Sequence, residues 1–302
     1  MPMSDAARAQ WQIHLCVLLW GFTAILGKLI SLAALPLVWW RMALVTALLA
    51  FAPRLWRALR TMSARQIAAL MGVGVVVALH WLTFYASIKL SNASVAATCM
   101  ALGSVFTALI EPLTAKRRFA FGEVLLGIAA IPGVVLVVGG VPSGMWTGIA
   151  VGVLSAALAA LFGSLNKRYV DGADPLAMTF LEMGAGVLML SVAAPLAAGL
   201  IPLFDAPLLV WPDARDFGYL MLLAIACTLL PFALSLVALK HMSAFNAQLA
   251  INLEPVYTVL LAIVLLNEQR ELTPMFYLGV ALLVACVFAP VVLRARATLT
   301  ST

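Results

Sequence analysis

Few residues in this chain can do chemistry, and most of them sit inside long apolar runs. His80 is followed by Trp81, Phe84 and Tyr85, and at helical spacing 80 shares a face with 84, as 81 does with 85. An imidazole that ordinarily titrates near neutrality, set among rings, could stack an apolar or aromatic side chain and trade a proton. It could equally be a neutral core histidine donating to a backbone carbonyl. Glu254 stands next to Pro255, with Asn252 before it and Tyr257 after it. Tyr257 shares its helical face, whereas Asn252 is turned away by about 200°. Proline removes a backbone donor and frees a carbonyl one turn earlier, so Glu254 is either a site for a substrate ammonium or a proton, or an acid that holds a kink. With Trp20 from the first apolar run, the candidate substrate-binding set is Trp20, His80, Tyr85, Asn252 and Tyr257, and Glu254 is the gating or coupling group.

The remaining polar groups have plainer readings. Arg41 follows Trp39-Trp40, where an aromatic belt would let its stem snorkel outward; turned inward, it would suit a carboxylate. Glu182 and Glu111 read as helix-pairing partners, Glu111 with Lys116 and Arg117 near it in sequence. Ser164 with Asn166, and Asn246 with Gln248, read as interhelical glue. Gly148 with Gly152, and Gly184 with Gly186, signal close packing, since nothing around them has the form of a phosphate loop. Cys16, Cys99, Cys227 and Cys286 are isolated within apolar runs, with no metal-ligand spacing, and read as free thiols. No metal and no cofactor is expected. An intramembrane protease or acyltransferase would need paired acids, a Ser/His pair or HExxH; none occurs, so the expectation is no enzyme.

What must position these residues follows from composition. Of 302 residues, 65% are hydrophobic and 10% charged, against about 45–50% and about 25% in soluble domains. Such a chain cannot cover itself in water, which excludes a soluble enzyme and a nucleic-acid binder; its solvent is the lipid bilayer. A spanning helix takes about 20 apolar residues. Apolar runs fall near 13–34, 36–53, 66–88, 92–115, 122–141, 146–166, 175–196, 216–239, 242–267 and 273–293, none with the period of two that barrel strands require. The fold class expected is all-α integral membrane with ten transmembrane helices. The segment after the N-terminus is too long for a signal-peptide core, so the first helix is read as retained.

Placing the N-terminus in the cytoplasm puts 13 of the 18 Lys and Arg residues on that side and 4 (Lys28, Lys89, Arg215, Arg270) on the other, with Arg41 inside a helix. The positive-inside rule then sets both termini in the cytoplasm. Comparing the halves exposes a repeat. Gly103 to Thr107 overlies Glu254 to Thr258 at an offset of 151; Ala86/Ala238 and Gly127/Gly279 pair at 152; Lys28 with Pro36 overlies Lys167 with Pro175 at 139. Five helices per repeat is an odd number, so the second repeat must enter the membrane from the opposite side. The division expected is a first five-helix repeat over 1–141 and an inverted second one over 142–302, the geometry that alternating access needs.

Leu19-Trp20-Gly21, Pro36 followed by Arg41, and Glu254-Pro255 with Asn267-Glu268 and Gly279 resemble the drug/metabolite transporter superfamily in its ten-helix EamA-type branch. They are similar in particular to YddG-like exporters of aromatic and other amino acids. The first repeat departs from the pattern, with Gly103-Ser104 where the second has Glu-Pro and its own Glu111-Pro112 eight residues later. The resemblance implies a monomeric exporter in the bacterial inner membrane with a central cavity between the halves. The function expected is secondary-active export of amino acids or related small metabolites. The alternative is a broad-specificity drug or nucleotide-type efflux carrier. Lacking an ATP-binding cassette, either would draw on a gradient of protons or of substrate.

Overall fold

The computed structural model describes residues 4–114 and 121–286. The basic cluster Lys116-Arg117-Arg118 and the C-terminal Arg294 and Arg296, which weigh in the charge count, lie outside the described residues. Every regular element in the described residues is helical. The helices are α1 (Asp5–Leu29), α2 (Ala34–Ala50), α3 (Pro53–Arg60), α4 (Ala64–Leu90), α5 (Ala93–Met100), α6 (Gly103–Thr114), α7 (Phe121–Gly139), α8 (Trp146–Tyr169), α9 (Pro175–Ala197), α10 (Ala214–Ala224), α11 (Leu230–Leu239), α12 (Ala244–Ile251), α13 (Glu254–Leu266) and α14 (Pro274–Cys286). Among the described residues seven segments are long and apolar enough to cross a membrane, or eight if α2 and α3 count as one bent span. Leu188, Val192, Leu196, Leu260 and Val264 lie exposed on the outside of the bundle, as apolar side chains do when lipid covers them.

Local sequence explains where the helices begin and stop. Ser63 accepts from the Gln66 N–H at 3.3 Å while Gln66 Oε1 accepts from the Ser63 N–H at 3.0 Å, a reciprocal cap that starts α4. Asn267 ends α13 in the left-handed region at φ 57°, a conformation asparagine tolerates better than most residues. Gly148 and Gly152 let α8 meet α4 and α5 closely: a Cβ on Gly152 would stand 2.8 Å from Ser87 Oγ and 2.9 Å from Cys99 Sγ.

Three features depart from the runs read off the sequence. The stretch after α2 is the short helix α3, bent 88° from it, with only Leu55 buried; Arg54 pairs with Asp174 at 2.8 Å. The runs 92–115 and 242–267 are each broken midway, α5 from α6 at 101–102 and α12 from α13 at 252–253. The run 216–239 contains a π-helical turn, Ile225–Leu229, between α10 and α11.

Candidate functional site

A cavity of about 110 Å³ lies among α1, α2, α4, α5, α6, α8, α11, α12 and α13, against roughly 10–15 Å³ for one water. Its walls are mostly apolar and aromatic, with Trp20, Trp81, Phe84, Phe162 and Phe232 among them. Polar groups enter at few points, chiefly Arg41, His80, Asn166, Gln248 and Glu254.

Arg41 does not snorkel. Its residue is 2% exposed and its guanidinium points inward, lying over the Trp81 ring at 3.7 Å. Nε donates to Thr228 Oγ1 at 2.7 Å, Nη1 to Tyr85 Oη at 2.9 Å and Nη2 to the Cys227 carbonyl at 3.2 Å. Cys227 lies within the π-helical turn, and Pro231, four residues on, has no N–H to close an α-helical turn onto that carbonyl. Trp39 and Trp40 are half-buried, donating to Ser191 Oγ at 2.9 Å and the Val210 carbonyl at 2.8 Å. The guanidinium has five N–H groups, so the three bonds made leave two without a protein partner among the described residues.

His80 takes a fixed orientation. Its Nδ1 lies 3.0 Å from the Ser155 carbonyl and 2.9 Å from Ser155 Oγ. A carbonyl only accepts, so Nδ1 carries the proton and Nε2 is left as an acceptor. The ring sits 5.2 Å from Phe162 and 6.2 Å from Phe84.

Glu254 opens α13, immediately after the break, where the partial positive charge of a helix start favours a carboxylate. It lines the same cavity as Arg41, and no hydrogen bond to its carboxylate occurs among the described residues. Trp20, His80 and Glu254 thus share the cavity wall, whereas Tyr85, Asn252 and Tyr257 do not line it. Tyr85 is buried behind Arg41 and holds it. Asn252 is buried with both side-chain polar atoms unpartnered. Tyr257 packs against α1, where a Cβ on Gly21 would stand 3.0 Å from the Tyr257 Cβ.

Two acids reach across the bundle to the starts of other helices. Glu111, at the end of α6, accepts from the Ala244 and Phe245 N–H groups at 3.0 Å each, so it caps α12; Lys116 and Arg117 lie outside the described residues. Glu268, just past α13, accepts from the Ala93 and Ser94 N–H groups at 3.0 and 2.9 Å and from Ser94 Oγ at 2.6 Å, so it caps α5. Each broken helix therefore ends in a carboxylate that clasps the start of the other.

The sequence profile described as the EamA-like transporter family matches this chain twice, over residues 9–139 and 146–289. No curated protein matches by sequence. A solved structure titled only as the crystal structure of a protein is similar at a TM-score of 0.67 and 15% identity, over 95% of this chain and 98% of that one; at that identity the likeness speaks for the fold alone. The paired domain matches and the apolar helices agree, and the chain belongs to the EamA-like transporter family of the drug/metabolite transporter superfamily, as a multi-pass membrane protein.

Proposed function

We propose that the chain is a secondary-active exporter of amino acids, aromatic and apolar ones included, working by alternating access between two inverted five-helix repeats, 1–141 and 142–302. In this reading ten helices span the bacterial inner membrane, both termini lie in the cytoplasm, the protein acts as a monomer, and the branch is the YddG-like one. The observation that carries the substrate class is the presence of Arg41 and Glu254 on one small, aromatic-walled cavity. An amino acid is a zwitterion with an apolar or aromatic tail. The two free N–H groups of Arg41 suit its carboxylate, Glu254 suits its ammonium, and His80, Trp20 and Phe84 offer surface for the side chain. An ionisable group at membrane depth costs about 2.5–3.5 kcal/mol on insertion scales, so two of opposite sign facing one cavity argue for a ligand that answers both.

The test is counterflow in reconstituted vesicles with L-phenylalanine, N-acetyl-phenylalanine and phenethylamine. The first keeps both poles and each of the others lacks one. Transport of phenylalanine with both analogues poor supports the zwitterion site. Efflux of cationic dyes without transport of any amino acid would replace it with the drug-export reading.

A further inference from the structure

Glu182 lies on α9, outside the cavity wall, and is wholly buried. Its surroundings are tight: a Cβ on Gly74 of α4 would stand 2.3 Å from the Glu182 carbonyl oxygen, so the backbone of α9 is pressed onto α4 at this point. The carboxyl group meets one polar side chain, Asn166 of α8, whose Nδ2 donates to Glu182 Oε2 at 3.4 Å. The remaining oxygens on both partners, Glu182 Oε1 and Asn166 Oδ1, are buried without any hydrogen bond among the described residues. An ionised carboxylate offers only acceptors, so it satisfies neither of them. One proton on the carboxyl does. A carboxylic acid facing an amide can donate its O–H to the amide oxygen while accepting the amide N–H, and that holds whichever way the amide is turned.

No countercharge competes for this position among the described residues. α9 carries no other ionisable side chain. On α2, Arg41 donates to Thr228, Tyr85 and the Cys227 carbonyl, which also occupies Tyr85 of α4, and it faces the cavity, whose wall Glu182 does not join. His80 of α4 is held by Ser155. Lys89 at the end of α4 donates to the Ile30 carbonyl, and Lys167 and Arg168 of α8 donate to the carbonyls of Leu239 and Thr114. Arg54 of α3 pairs with Asp174, while Arg57, Arg60 and Arg65 are exposed to solvent. Tyr169 closes α8 a turn beyond Asn166, and α11 carries no ionisable group. Asn166 itself lines the cavity, so it touches both the acid and the space the substrate would occupy.

We infer that Glu182 is a proton-binding site that couples export to the proton gradient, with Asn166 as the residue that relays occupancy between acid and cavity. The proton enters from cavity water onto the carboxylate and closes the pair with Asn166. It leaves when a change of conformation separates the two and wets the carboxylate, so one proton moves against one substrate. The inference rests on the carrier reading above but not on the choice of substrate.

Infrared difference spectra between acid and alkaline pH need no substrate. The wild-type protein is expected to show the C=O stretch of a protonated, hydrogen-bonded carboxylic acid. Glu182→Gln should abolish that band and Asn166→Leu should move it to higher frequency. In vesicles, Glu182→Gln should retain phenylalanine counterflow but lose accumulation driven by an imposed pH gradient, falling to the gradient-free control. Absence of a Glu182-dependent acid band in the wild type, or undiminished gradient-driven accumulation in Glu182→Gln, would overturn the proposal. Should the wild type not carry phenylalanine at all, the substrate reading falls and the infrared result alone decides the proton site.

Discussion

Arg41 is the residue on which the candidate site turns. Three of its N–H groups are directed at three different acceptors and its plane lies on Trp81, an arrangement a lysine ammonium cannot copy. Arg41→Lys should therefore keep the charge yet raise the half-saturating phenylalanine concentration. Losing one charge-assisted hydrogen bond, about 1.5–3 kcal/mol, corresponds to roughly 10- to 150-fold, and a concentration series in counterflow reads it directly. His80→Ala should act more mildly: removing a ring that stacks at about 0.5–1.5 kcal/mol weakens binding several-fold, with Ser155 left in place. These residues differ in how legible they were. Trp20, His80 and Glu254 stand out in sequence because polar or amphipathic groups are scarce in an apolar run, and all three reach the cavity. Arg41 reads as an outward-turned belt residue because its neighbours Trp39 and Trp40 read as an aromatic belt. What holds it inward are Thr228, Tyr85 and the Cys227 carbonyl, contacts between distant segments that no local pattern announces.

At the scale of elements, the broken helices and their crossed clasps bear on mechanism. Glu111 and Glu268 each satisfy two backbone N–H groups at a helix start, and truncating either leaves those donors buried at a cost of about 1–3 kcal/mol apiece. If the clasps hold opposite ends of the cavity shut, Glu111→Ala and Glu268→Ala should shift the resting conformation in opposite senses. Cysteine accessibility at the two ends of the bundle measures this; equal shifts from both variants would remove the clasps from gating. Asn267 makes a narrower point. Valine there should destabilise by about 1–2 kcal/mol because a branched side chain resists φ 57°, while glycine should be tolerated, as thermal unfolding in detergent would record. Sequence gave fair notice of Pro255 but not that the first repeat breaks too, since Gly103 is a weak signal by itself. The clasps were hidden because the partners of Glu111 and Glu268 lie in the other half of the chain.

For the whole molecule, composition places the chain in lipid, where only helices and closed barrels satisfy the backbone, and the absence of a period of two in its apolar runs then leaves a helical bundle. Topology can be tested by labelling Arg57→Cys and Ser143→Cys in a background without Cys286. The inverted arrangement expects reaction from opposite faces of the membrane, and labelling of both from one face would end it. Both clasps are made at once in this structure, which has a consequence for the cell's energy supply. If each contributes about 3 kcal/mol and they open independently, a state with both released is rarer than one with a single release by about two orders of magnitude. Only that doubly open state would form a continuous water path. Crossing the clasps between the halves would thus let the protein pass cargo while short-circuiting very little of the membrane potential, so that a leak, and not slow export, is the phenotype to expect when both carboxylates are removed together.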